Sequence, residues 1–111
     1  MPERDDDLLL NDMVEAADSI FEYVGAMSFD EFQHDKKTVD AVIRNFEVLG
    51  EASKLISEEV KLNSPLVEWR LITDFRNILI HHYFGIDYTA VWTAIKESLP
   101  YNYEMLRNIK L

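Results

Sequence analysis

The sequence predicts an all-α fold, an antiparallel bundle of four to five helices, and three observations carry that reading. Apolar residues recur at three- and four-residue intervals in four long stretches. Three Gly and three Pro in 111 residues leave little material for the many tight turns of a β-sandwich or barrel. Leu, Ile, Glu, Ala and Lys, which suit helices, are well represented. With 48% apolar and 29% charged residues the composition is that of a globular chain, and the length fits one domain over residues 1–111.

Each element has a local cause. Asp5, Asp6 and Asp7 offer carboxylates to the free N–H groups and positive dipole end of a first helix. Its apolar stripe runs Leu10, Met13, Val14, Ala17, Ile20, Phe21 and Val24, and Gly25 terminates it. Ser28 followed by Glu31 is a capping box for a short helical turn, and Asp35 or Thr38 caps the next helix. Val39, Val42, Ile43, Phe46, Leu49, Ser53, Ile56 and Val60 form a nearly unbroken stripe, which predicts one long second helix of about six turns. Asn63-Ser64-Pro65 breaks the chain, with Ser64 as cap and Pro65 in the first turn of a third helix. That helix carries Leu71, Ile72, Phe75, Ile78 and Leu79 and is expected to end near Tyr83, before Gly85. Asp87 caps the last major helix, which buries Val91, Trp92, Ile95 and Leu99; Pro100 kinks or interrupts it before a terminal helix over 101–111.

The formal charge of −10 argues against a nucleic-acid role until its distribution is considered. Residues 1–60 hold 5 Lys/Arg against 16 Asp/Glu, whereas residues 61–111 hold 6 against 5. The acidity belongs to the first half. The second stays neutral enough to admit a polyanion, and the first suits an acidic outer surface or a docking face for a basic partner. There is no Cys, which removes disulfides and thiolate metal ligands and fits a cytoplasmic setting. No apolar run approaches the roughly 20 residues of a membrane span, and no basic-then-apolar leader opens the chain. A soluble protein without membrane association is expected.

Chemically capable groups concentrate between Trp69 and Phe84: Arg70, Asp74, Arg76, Asn77, His81, His82 and Tyr83. On a continuous helix Arg70, Asp74, Asn77 and His81 form a polar stripe, Arg76 and Tyr83 share another side, and His82 projects near Phe75 and Leu79. Arg76 and His81 would stand about 140° apart and about 7.5 Å along the axis, so they do not converge. Either the helix loosens before His81 or two chains build a composite site about a two-fold axis; the second is favoured. A helix-end dipole brings His81 toward acid–base chemistry near neutrality, and Asn77 one turn earlier could fix its ring. Arg76 can hold a phosphate bidentately. Together they suit cleavage of a phosphodiester without metal. The substrate is then RNA, because its 2′-hydroxyl is an internal nucleophile.

The octapeptide Arg76-Asn77-Ile78-Leu79-Ile80-His81-His82-Tyr83 resembles the R-x4-6-H-x-Y signature of the HEPN superfamily, and most closely its HepT-type toxins. The likeness extends through Lys37-Thr38, Ala41-Val42-Ile43-Arg44-Asn45, Leu49-Gly50-Glu51-Ala52 and Trp69, then through Tyr83-Phe84-Gly85-Ile86-Asp87 to Val91-Trp92. The resemblance implies a helical homodimer with a cleft between two motifs, and metal-independent endoribonuclease activity from Arg76 and His81 supported by Asn77 and Tyr83. It also implies a minimal nucleotidyltransferase antitoxin that silences the toxin by transferring AMP to Tyr83. No cofactor is implied. Bulky phosphate charge beside Arg76 would repel and displace an RNA phosphate. Where relatives resemble one another in a Gly-Met pair before the motif arginine, this chain has Asp74-Phe75, and it has His82 at a position more often acidic. Asp74 beside His81 would raise the imidazole pKa or compete with substrate phosphate.

Bland readings stand beside these. His34 is expected in a loop, His82 packed or partly exposed, and Trp69 and Trp92 as core anchors rather than base-stacking platforms. Arg44 and Glu51 could line the cleft, though a charge pair is more economical. Adjacent His81 and His82 cannot point at one ion from a helix, so no metal site is expected. The alternative function is a non-catalytic HEPN module that binds a nucleotide or presents Tyr83 to a nucleotidyltransferase.

Overall fold

The computed structural model describes residues 5–81 and 85–111. Helix α1 (Asp6–Val24) is followed by α2 (Phe29–His34), α3 (Lys36–Leu55), α4 (Glu58–Asn63), α5 (Trp69–Asp74) and α6 (Arg76–Leu79). Two short strands come next, β1 (Ile80–His81) and β2 (Gly85–Ile86), and then α7 (Tyr88–Thr93), a π-helical turn (Ala94–Ser98) and α8 (Leu99–Arg107). The architecture is all-α. Four helical segments form the bundle: α1, α3, the α5–α6 arm, and the run from α7 through α8.

Local chemistry set several boundaries as expected. Gly25 closes α1 at φ 50°, a left-handed conformation that costs a glycine little. Ser28 and Glu31 form the reciprocal capping box: the Glu31 N–H donates to the Ser28 hydroxyl at 3.1 Å, and the Ser28 N–H to the Glu31 carboxylate at 2.9 Å. Asp35 accepts from the Thr38 N–H and Asp87 from the Ala90 N–H, capping α3 and α7.

The long second helix is shorter than its stripe. The chain leaves α3 at Ile56 (ψ 140°), and Ser57 caps a separate α4 by accepting from the Val60 N–H. Ser57 is also held by Asp6, which accepts from its N–H at 3.0 Å and its hydroxyl at 2.7 Å. The apolar pattern survives the break because Ile56 and Val60 are both buried. Asp6 opens α1 and Ser57 follows α3, so this contact fixes α1 and α3 antiparallel. Pro65 sits in the turn between α4 and α5 rather than in a first helical turn, and α5 starts at Trp69. Leu71, assigned to the buried stripe of the third helix, is 39% exposed.

The core runs between α1 and α3, with Met13, Ala17, Ile20, Val42 and Val39 at 2% exposure or less. Tyr103 extends it by packing its ring edge-on to Phe21 at 5.3 Å while its hydroxyl donates to Asp18 at 2.6 Å. Pro100 neither ends nor sharply breaks the last helix. It lacks the N–H of a regular turn, and the chain widens just before it: the Leu99 N–H donates to the Ala94 carbonyl, five residues back. No helix among the described residues is long and apolar enough to cross a membrane.

Candidate active site

The arm that carries the motif residues is fixed at its near end by buried polar contacts. Ser53, fully buried on α3, donates to the Trp69 carbonyl at 3.1 Å and accepts from the Thr73 hydroxyl at 2.9 Å. Asn102 of α8, 3% exposed, accepts from the Glu68 N–H at 2.9 Å and donates to the Glu68 carboxylate and the Ser98 carbonyl at 3.0 Å each. It thereby holds the backbone of Glu68, the residue before α5, whose own side chain makes no capping bond. The Trp69 indole N–H donates to the Ser64 carbonyl at 3.0 Å, so this tryptophan is the core anchor expected of it.

Gly50 brings α3 against the same arm. A Cβ there would lie 3.2 Å from the Ile72 carbonyl oxygen and 3.5 Å from that of Thr73. Close approach therefore favours glycine, since a methyl here would need the α5 backbone to give by a few tenths of an ångström. Phe46 and Phe75 pack beside the contact with ring centroids 5.0 Å apart and planes tilted by 53°. A small, mainly apolar cavity of about 30 Å³ remains behind Ile72 and Phe75, bounded by Leu49, Leu99 and Asn102.

The expected single helix through Tyr83 does not exist. Its regular pattern is interrupted at Phe75, which keeps right-handed helical angles (φ −57°, ψ −31°), resumes as α6, and stops at Leu79. Leu79 is fully buried, and its carbonyl accepts from the Asp87 N–H at 3.1 Å. From this anchor the chain enters an antiparallel β pair in which Ile80 faces Ile86 and His81 faces Gly85. Gly85, expected to terminate a helix, instead opens the return strand at φ 82°.

Arg76 and Asn77 are exposed in α6. His81 lies two residues beyond the helix end, in β1. The ideal-helix separation of Arg76 from His81 therefore does not apply, and the geometric reason for favouring a two-chain site over a loosened helix disappears. His82 and Tyr83 lie outside the described residues, as do the side chains of Ile78, Ile80 and His81. The expected Asn77–His81 contact and the placements of Tyr83 and His82 fall there too. Asp74 is described: its carboxylate lies 3.6 Å from the Arg70 guanidinium, both exposed, so part of the predicted polar stripe is an i,i+4 ion pair.

Other sequence-level candidates are placed elsewhere. His34 ends α2 rather than lying in a loop, with its Nδ1 donating to the Asp30 carbonyl at 2.8 Å. Trp92 is half-buried between Phe32 and Phe29, at 5.4 and 5.8 Å, with the Lys96 ammonium 4.7 Å over its ring. Arg44 and Glu51 line a groove beside α1. Among the described residues no group of three His, Cys, Asp or Glu could hold a metal ion. Sequence reasoning missed Asn102 and the Thr73 partner of Ser53; a polar residue interrupting an apolar stripe was the available signal.

Comparison with known proteins places these features in a family. The family model for HepT-like ribonucleases matches residues 13–109. A candidate RNase of Methanocaldococcus jannaschii is 39% identical over 109 residues, covering 98% of this chain and 90% of its own. A second candidate RNase from the same organism is 40% identical over 100 residues, covering 90% and 92%. The probable ribonuclease HepT of Thermococcus cleftensis is 43% identical over 91 residues, covering 82% and 83%. No solved structure matches the chain.

Proposed function

The chain belongs to the HepT-like ribonuclease family, and from that membership we propose that it is a metal-independent endoribonuclease toxin acting as a homodimer in the cytoplasm. The observation that carries the reading is the placement of the motif. Arg76 is exposed on a short helix, and His81 follows on a strand beyond the helix end, on an arm anchored to α3 and α8.

In this reading the Arg76 guanidinium holds the scissile phosphate and stabilises the charge that grows on its oxygens. His81 takes the 2′-hydroxyl proton as O2′ attacks phosphorus, and the P–O5′ bond breaks. The O5′ leaving group receives a proton from the second copy's imidazole. The products are a 2′,3′-cyclic phosphate and a 5′-hydroxyl. Asn77 and Tyr83 position the strand. No step calls for a metal ion because Arg76 supplies the positive charge.

Silencing belongs to the same proposal. A minimal nucleotidyltransferase antitoxin transfers AMP to the Tyr83 hydroxyl, with pyrophosphate leaving from ATP. The added phosphodiester then stands where substrate phosphate would meet Arg76. Purified chain incubated with RNA and a chelator should yield cyclic-phosphate ends, and His81→Ala should not. Cleavage that needs added metal would sink the metal-independent mechanism. Harmless expression with no RNA cleavage would favour a non-catalytic nucleotide-binding module. After co-expression with the antitoxin, intact mass should rise by an adenylyl group, and Tyr83→Phe should remove the increment.

A further inference from the structure

A surface groove follows the α1–α3 pair. At one end it lies between Asp12, Glu15 and Ser19 of α1 and Asn45 and Val48 of α3; at the other it runs from Leu9 to Leu55. The two stretches share Asp12 and Val48 and so are continuous. From Leu9 to Ser19 the groove follows about 15 Å of helix, enough to seat roughly three turns of another. Ala16, Val48 and Ala52 form its floor, and Leu55 at its mouth is 56% exposed. Among the described residues its rim carries the carboxylates of Asp12, Glu15, Glu47 and Glu51 and one cation, Arg44.

Its position on α3 sets it apart from the ribonuclease arm. With about 100° between successive residues, Phe46, Leu49, Gly50 and Ser53 cluster on the side that meets α5 and α6. Arg44, Val48, Glu51 and Leu55 fall on the opposite side. A molecule in the groove would leave Arg76 uncovered.

We propose that the α1–α3 groove is a docking surface for a basic amphipathic segment of a protein partner, one that sets Lys or Arg against the rim and apolar side chains against the floor. Charge complementarity selects this occupant. The rim repels RNA, and a second copy of the chain brings a net charge of −10 with no half that is more than about one charge positive. An apolar floor with charged walls is the form in which helices are received in grooves. The inference does not depend on the ribonuclease reading.

The test uses the full chain and a synthetic amphipathic helix of Leu and Lys as probe, titrated by fluorescence anisotropy. Glu47→Lys/Glu51→Lys should weaken binding by about tenfold. Glu59→Lys/Glu97→Lys carries the same charge change at exposed positions outside the groove and should leave binding within about twofold. Leu55→Ser should also weaken it, and amide NMR shifts should map to residues 9–19 and 44–55. Equal weakening by both double variants, shifts centred on α5–α8, or no binding by the wild-type chain would each overturn the proposal. RNA cleavage by the groove variants should be unchanged.

Discussion

The α1–α3 pair and the arm from α5 to β2 are built on opposite plans. The first is two helices of 19 and 20 residues, antiparallel, with regular apolar stripes and an apolar core. The second reaches only 6 and 4 residues before each interruption, then turns into a β pair. Periodic burial suffices to hold the pair. The arm adds to its buried Trp69 and Leu79 discrete contacts at Gly50, Ser53 and Asn102. Such a division lets exposed polar residues such as Arg76 and Asn77 sit on a short, interrupted helix while the frame carries stability.

That contrast can be broken most severely at Leu79. Leu79→Ala removes a fully buried side chain at the junction of α6 and β1 and should cost about 2–5 kcal/mol by denaturant unfolding. A cost near zero would mean that the arm is not anchored there. Gly50→Ala comes next, since its methyl would press on the backbone carbonyl of Ile72. We expect about 1–3 kcal/mol of destabilisation and a loss of RNA cleavage larger than the unfolded fraction explains. Asn102→Ala leaves the Glu68 N–H without its partner and should cost about 1–3 kcal/mol. Hydrogen exchange should quicken at the start of α5 before it does so in α1.

The smallest effect lies on the frame. The Asp18 carboxylate that accepts from the Tyr103 hydroxyl raises the phenol above its ordinary value near 10. Because the folded pKa is the higher one, this bond contributes fully below the unfolded pKa and is lost as pH rises through the folded one. Ultraviolet titration should show a late-ionising tyrosine that disappears in Tyr103→Phe, with a small loss of stability at neutral pH, where the bond is intact.

The same contrast decides what was legible in the sequence. Gly25, the Ser28–Glu31 box, Asp35 and Asp87 act within three or four residues of themselves, so their roles could be read directly. The break after Ile56 was hidden because the apolar stripe continues across it, although Ser57-Glu58-Glu59 is itself a cap with an acidic first turn. Its other cause, Asp6, is 51 residues away. Gly85 signalled a helix end, but only the pairing of His81 with Gly85 shows that the helix had already stopped at Leu79. Pro100 signalled a kink, and the widened turn before it preserved the helix. At the site, the motif and its residue types were legible; the backbone that presents them was not, because it rests on the Leu79–Asp87 bond and the pairing of His81 with Gly85.

The most direct test compares Arg76→Ala with the wild-type chain in two measurements on one preparation: initial rates of RNA cleavage and thermal unfolding. Arg76 is exposed, so the melting temperature should stay within about 2 °C, while cleavage should fall by at least about 100-fold. Undiminished cleavage, or a fall in cleavage matched by loss of folded protein, would contradict the assignment of this arm as the active site.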